Sequence, residues 1–160
     1  MSTGTATFRG PRPRRIGRAP GIDYGDLDAY LGYLLRRAQL AAFENFFQAT
    51  AGARVTPPRF TALVILEANP GITQSLLGAA LGTARSGATL LTNWLVERGY
   101  AQRRHRPDDA RVWGLYLTAR GAALLDRLRP RIRQRERVLV SRLSGRERAL
   151  LTRLLTKLAG

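Results

Sequence analysis

The chain has 160 residues, 44% of them apolar, which suits a single globular domain with a buried core. Its formal net charge is +16, from 27 basic and 11 acidic residues, and Lys157 is the only lysine. A field of that sign attracts polyanions and makes their binding salt-dependent, so nucleic acid is the expected partner.

A GC-rich coding sequence accounts for the use of Arg over Lys, but not for the excess of base over acid. The absence of cysteine excludes disulfides, thiolate zinc sites and thiol redox sensing, and fits a reducing cytosol. A cytoplasmic, nucleoid-associated protein is expected. With His105 as the only imidazole, neither a metal site nor any other cofactor is expected. No apolar run approaches the roughly 18 residues that span a bilayer. The Arg-rich start has no apolar stretch behind it, so no secretory signal is expected. A membrane surface is a poorer fit than nucleic acid, because no helix joins a basic face to exposed Trp or Phe.

Residues 1–22 form a basic arm carrying Arg9, Arg12, Arg14, Arg15 and Arg18. They contain too little apolar surface for a core and are expected to be disordered, either as a solvated tail or as an arm on DNA phosphates or a minor groove. A long helix is expected from Asp26 to about Ala51, with Leu27, Leu31, Leu34, Leu35 and Ala38 at 3–4 spacing. Asp26 and Asp28 in its first turn would complement the helix dipole. It is rich in aromatic residues: Tyr30, Tyr33, Phe43, Phe46 and Phe47. Arg36 and Arg37 interrupt the apolar pattern. The second helix runs from Thr56 to Ala68, capped by Thr56, started by Pro57 and stopped by Asn69-Pro70-Gly71. Ile72 is left for one short strand.

The stretch from Thr73 to Arg111 is the part the chain is organised around. Thr73 caps a short third helix with Leu76, Leu77 and Ala80 inward, ended by Gly82. A fourth helix follows from about Ala84 to Arg98, with Ala88, Leu91 and Leu95 as its buried stripe. Arg85, Ser86, Gly87, Thr89, Leu90 and Asn93 are left for other faces. Small and polar side chains at a helix N-terminus suit close approach to base edges and phosphates. Two strands follow between Tyr100 and Thr118, turning at Arg106-Pro107-Asp108-Asp109. Arg103, Arg104, His105, Arg106 and Arg111 crowd the tip. On an extended chain Asp109 and Arg111 point the same way, and the carboxylate would brace the guanidinium. A helix pair closed by a glycine turn and followed by a basic hairpin is a device for holding DNA. The competing reading of the hairpin is a solvated loop with incidental charges.

Thr118 caps a fifth helix to about Leu143, which Pro130 should kink or interrupt. Its arginines alternate at two-residue spacing and are read as mostly solvated. Ser144 and Glu147 form a capping box for a last helix carrying Leu150, Leu151, Leu154, Leu155 and Leu158. These Leu-rich helices offer more apolar surface than one small core uses, and a two-fold dimer would bury the excess.

The residues PGITQSLLGAALGTARSGATLLTNWLVERGY, then DDAR, then GLYLTARG, resemble the MarR family of winged-helix transcription regulators. Thr73 and Gln74 match the opening of the family's third helix, and Arg85 and Ser86 that of its recognition helix. Leu95 and Gly99 match the close of that helix, Asp109 and Arg111 the wing motif, and Leu115 to Gly121 the segment after it. The match runs from about Leu27 to Leu158. Two positions depart from the pattern. Ala110 stands where a further Arg is common, removing one phosphate contact, and Leu90 stands where a polar residue is usual, shifting readout toward the thymine methyl.

The resemblance implies a mainly α fold: a winged helix-turn-helix with a small β-hairpin wing and a helical dimerisation region. Within one domain, 23–160, residues 55–118 would be the DNA-binding lobe, and 23–51 with 119–160 the dimerisation helices. It implies a homodimer that places two recognition helices in successive major grooves of a palindromic double-stranded operator, with the wings in the flanking minor grooves. The candidate DNA-binding residues are Thr73, Gln74, Arg85, Ser86, Gly87, Thr89, Leu90, Asn93, Arg103, Arg104, Arg106, Asp109 and Arg111. It also implies repression released by a small molecule. Without thiols or an imidazole cluster the signal is expected to be organic: an aromatic acid, a phenol or an aryl-CoA thioester. Its candidate residues are Tyr30, Arg36, Arg37, Phe43, Phe46 and Phe47, with Arg36 or Arg37 on a carboxylate or on CoA phosphates. The bland alternative makes the rings core and the two arginines solvated. Two other functions compete with this one. No nucleophile–base pair, Gly-rich phosphate loop or metal cluster supports an enzyme, whereas the high charge alone would suit an effector-independent architectural DNA binder.

Overall fold

The structure, a computed structural model, describes residues 18–160. Arg9, Arg12, Arg14 and Arg15 therefore lie outside the described residues. The chain divides into two units, one of residues 55–133 and one made of the residues before and after it.

The second of these holds the aromatic helix. The expected helix from Asp26 is broken: a single 3-10 turn covers Leu27–Ala29, Tyr30 is extended at φ −93° and ψ 116°, and α1 runs Leu31–Ala49. The two acids expected to sit on the helix dipole are engaged elsewhere. Tyr30 donates its hydroxyl to Asp26 at 3.0 Å. Asp28 accepts from Arg18 and lies 3.7 Å from Arg37. Arg18, placed in the arm by sequence, is thus tied to Asp28 ahead of α1. Near the C-terminus, Ser144 and Glu147 make the expected reciprocal capping box for α6, Gly145–Ala159. The five leucines of α6 stay 41–58% exposed, and α6 buries no residue.

Residues 55–133 carry a continuous core. It contains Val55, Leu63, Leu66, Leu77, Ala88, Leu95, Leu115, Leu125 and Leu128, each no more than 2% exposed. Helix α2 is Pro57–Ala68, with Pro57 at its first position, where a missing N–H costs nothing. Thr56 has the extended N-cap backbone, but its side chain makes no capping bond. Helix α3 is Gln74–Ala80, and here the cap is real: the Leu76 N–H donates to Thr73 Oγ1 at 3.3 Å. Its inner face is Leu77 and Gly78. Leu76, expected inward, is 58% exposed, and Ala80 is exposed as well. A seven-residue helix has room for only one inward turn.

Helix α4, Arg85–Glu97, buries Ala88, Thr92 and Leu95, so Thr92 displaces the expected Leu91, which is half-buried. Strand β1, Ala101–His105, pairs antiparallel with β2, Trp113–Leu117, with Ala101 opposite Leu117 and His105 opposite Trp113. Ile72 adds a single bridge to Leu115, the short strand expected there. Helix α5 is Ala119–Leu139 and continues through Pro130, so of the expected kink or interruption the interruption does not occur. Thr118 caps it by accepting the Gly121 N–H at 3.1 Å, and donates its own hydroxyl to the Gly99 carbonyl at 2.6 Å, joining the helix start to the end of α4.

Candidate nucleic-acid interface

Every candidate DNA-binding residue lies in the 55–133 unit. The approach of α3 to α4 sets the geometry. A Cβ on Gly78 would lie 2.8 Å from Ala88 Cβ, so the two helices meet at a point where only hydrogen fits. Between them Gly82 takes φ +59°, and the Thr83 N–H returns to the Gly78 carbonyl at 3.1 Å. A positive φ without a Cβ clash is what a turn this tight requires.

This packing decides which face of α4 is outward. With Ala88, Thr92 and Leu95 buried, the opposite stripe at 100° per residue is Ser86, Leu90, Asn93 and Glu97. Leu90 is 73% exposed at its crest. Ala84, the N-cap, offers no side-chain acceptor, so the first N–H groups of α4 stay open at the positive end of the helix. Arg85 and Ser86 are exposed beside them. A groove of about 580 Å³ runs between α3 and the start of α4, lined by Gln74, Ser75, Ala79, Thr83 and Arg85 among others.

Four of the candidates face one another. Gln74 Nε2 donates to Thr89 Oγ1 at 2.8 Å. A guanidinium N–H of Arg103 donates to Asn93 Oδ1 at 2.8 Å and to Gln74 Oε1 at 3.4 Å. Arg103, expected at the hairpin tip, instead stands mid-strand opposite Leu115 and reaches back to α4.

The rest of the hairpin is also more ordered than its charge suggests. Arg104 lies over the Tyr116 ring at 4.2 Å. Arg106 grips Asp108 with two bonds, at 2.9 and 2.5 Å. That pairing holds the Asp108 carboxyl below its ordinary range and raises the Arg106 guanidinium. The expected Asp109–Arg111 brace takes another form. Residues 106–112 are a turn, not extended chain, so Asp109 Oδ1 accepts the Arg111 backbone N–H at 2.9 Å. The guanidinium Nε stands 3.8 Å away, beyond hydrogen-bond length, and the side chain is 97% exposed. Arg111 is therefore presented outward from a fixed backbone. His105 and Trp113, an unanticipated pair, stack at 4.0 Å on the hairpin, with Trp113 55% exposed.

Sequence reasoning passed over Gly78 and Thr92. An isolated glycine inside a helical pattern is itself a signal of close packing, and Gly78 carried it. Thr92 gave none, since its hydroxyl reads as a polar face; it is fully buried, and among the described residues its Oγ1 has no hydrogen-bond partner.

In the other unit, the candidate effector residues separate. Arg36, Phe43 and Phe47 fall on one stripe of α1, at i, i+7 and i+11. Arg37 turns toward Asp28 and the Tyr33 ring. Tyr30 precedes α1 and is 55% exposed. Phe46 and Phe47 meet edge to face at 6.0 Å.

A short helix, a tight glycine turn, an exposed second helix and a basic antiparallel hairpin define a winged helix-turn-helix protein. The sequence model of the MarR family matches residues 55–113, from α2 through α4 and β1 to the first residue of β2. A transcriptional regulatory protein proposed for the hcr operon of Thauera aromatica is 35% identical over 84% of this chain and 82% of its own length. Among solved structures, the repressor CouR bound to a 23-mer DNA duplex superposes with a TM-score of 0.80 at 35% identity, covering 87% of this chain and 99% of that one. CouR bound to p-coumaroyl-CoA gives a TM-score of 0.78 at 33% identity, over 86% and 97%. The chain belongs to the MarR family of transcriptional regulators.

No helix among the described residues is long and apolar enough to cross a membrane.

Proposed function

We propose that the protein is a dimeric, cytoplasmic transcriptional repressor that binds a palindromic operator and is released by a small aromatic ligand. The observation that carries the DNA reading is the α4 stripe of exposed Ser86 and Leu90 with half-buried Asn93, beside an uncapped helix N-terminus and an arginine hairpin in the 55–133 unit. Base edges are read by the stripe, phosphates by Arg85 and the helix N-terminus, and a minor groove by Arg111. Thr73, Gln74, Thr89 and Arg103 act mainly by holding that surface in place, and Arg106 by stiffening the turn.

The dimer is supported by the leucines of α6, each about half exposed. Covering a leucine of that exposure is worth about 1 kcal/mol, so a two-fold interface through both copies of α6 gains on the order of 10 kcal/mol before association costs. The effector class is supported by the Arg36–Phe43–Phe47 stripe, which pairs a guanidinium with two rings, and by the likeness to CouR, solved with p-coumaroyl-CoA. An aryl-CoA thioester is the sharpest form of the proposal, with Arg36 on its phosphates. No catalytic step belongs to this function.

The test is a gel shift on the DNA upstream of the gene, against a panel of aromatic acids and their CoA esters. Loss of the shifted band with one class of ligand is expected. Binding indifferent to the whole panel contradicts the effector, and equal binding to scrambled DNA supports the architectural alternative that the +16 charge favours.

A further inference from the structure

Gln74, Thr89, Asn93 and Arg103 come from three elements and form one hydrogen-bonded chain. It ends where the Thr89 hydroxyl donates to the Arg85 carbonyl at 2.9 Å. A guanidinium has five donors and no acceptor. An amide beside it must therefore turn its oxygen inward. Asn93 does so, with Oδ1 on Arg103 at 2.8 Å, which leaves its NH2 group for the outer surface. Gln74 has both ends of its amide engaged, the oxygen by Arg103 at 3.4 Å and the nitrogen by Thr89 at 2.8 Å, so its amide too is held in one orientation.

We propose that Arg103 is a positioning residue that fixes the amide polarity of Asn93, so that α4 presents a hydrogen-bond donor next to the apolar Leu90 and thereby selects thymine. This rests on the DNA-reading function above. Leu90 is exposed and Asn93 half-buried, three residues apart on the outward stripe, so their side chains are neighbours, about 5–6 Å between Cβ atoms. Thymine is the one base that carries an acceptor, O4, beside a methyl group in the major groove. Cytosine presents a donor at that place, which would meet the Asn93 NH2 head on. The arginine does this with neutral partners on both sides, so its charge remains available to a phosphate while its geometry sets the specificity.

The test uses the full chain and a randomised duplex pool at fixed salt, followed by titration of probes in which the selected thymine pair is replaced. The wild type should enrich thymine at one position per half-site. It should discriminate roughly 10-fold against 5-methylcytosine, which keeps the methyl but swaps the acceptor for a donor. In Arg103→Ala the amide is free to turn and that discrimination should fall to about 2-fold or less. Arg103→Lys keeps the charge without the fork, and should lose the same discrimination while keeping the salt dependence of wild type. Asn93→Asp, an acceptor only, should invert the preference toward the cytosine derivatives. A uniform loss of affinity in Arg103→Ala, with the thymine preference intact, would overturn the inference and leave Arg103 a phosphate contact. Enrichment by the wild type without thymine would overturn this inference alone, whereas no enrichment of any sequence would overturn the DNA-reading function with it.

Discussion

Replacing Gly78 by alanine adds a single methyl group where α3 meets α4. The new Cβ would stand 2.8 Å from Ala88 Cβ, six-tenths of an ångström inside the 3.4 Å at which ordinary contact begins. Ala88 has no flexible end to swing away, so the helices must part. Overpacking of this kind costs about 1–3 kcal/mol. Alanine is favoured over glycine inside a helix by up to ~1 kcal/mol, which offsets part of it. The net loss of stability is therefore about 0–2 kcal/mol, or a fall in Tm of up to roughly 8 °C for a chain of this size. The loss in DNA binding should be larger. A recognition surface tolerates about 0.5 Å of displacement, and the Gln74–Thr89 bond at 2.8 Å spans the same gap. Operator affinity, measured by fluorescence anisotropy at fixed salt, should drop about 10-fold or more. Adding Ala88→Gly to the variant removes the clash and should recover much of that affinity, giving a coupling energy outside additive error. A Gly78→Ala protein that is more stable than wild type and binds its operator unchanged would refute the packing argument.

Other consequences follow from single sites. Arg111→Ala should weaken operator binding by roughly 1–3 kcal/mol and relax any flanking A·T preference, as gel-shift titration would show; unchanged affinity removes Arg111 from the interface. Thr92→Val keeps the shape of a buried side chain and removes a hydroxyl that has no partner among the described residues. It should raise stability by about 1 kcal/mol in thermal denaturation, and a fall would reveal a partner for that oxygen. Glu67 accepts two bonds from Arg129, which hold its carboxyl below the ordinary range. Because its folded-state pKa is the lower one, the stabilisation is present above the unfolded value and disappears as pH falls through the folded value. The stability advantage of wild type over Glu67→Gln should therefore be constant near neutrality and shrink as pH falls below the unfolded carboxylate value of about 4.3; an advantage that shrinks already near neutrality, or that is absent there, contradicts the pairing.

What could be read in advance divides by the range of the interactions involved. The caps at Thr73 and at Ser144 with Glu147, and the stop at Gly99, depend on residues within one turn of each other, and the structure has them. The helix pair and hairpin were legible for the same reason. Asp26 and Asp28 were misread as a helix start because their partners Tyr30, Arg18 and Arg37 are chosen by the fold, not by helical propensity. The brace between Asp109 and Arg111 was placed on extended chain, whereas the turn hands the carboxylate to the backbone N–H. Among the charged residues, sequence gave no means of separating Arg111, which is fully presented, from Arg106 and Arg103, which are engaged within the lobe. That distinction depends on Asp108, Asn93 and Gln74 in space. The polar stripe on α4 was visible, but its division into an outward face and a face turned to Gln74 and Arg103 had to wait for the packing of Gly78 on Ala88.

The central claim is that this charge distribution serves sequence-specific reading and not bulk attraction. The direct measurement is the ratio of affinities for the upstream operator and for a scrambled duplex of the same length, across a salt series. A specific reader keeps a ratio on the order of 10³ or more at physiological salt, since base contacts survive where counterion release fades. A ratio near one at every salt concentration would contradict the account and leave only a basic protein that holds any duplex.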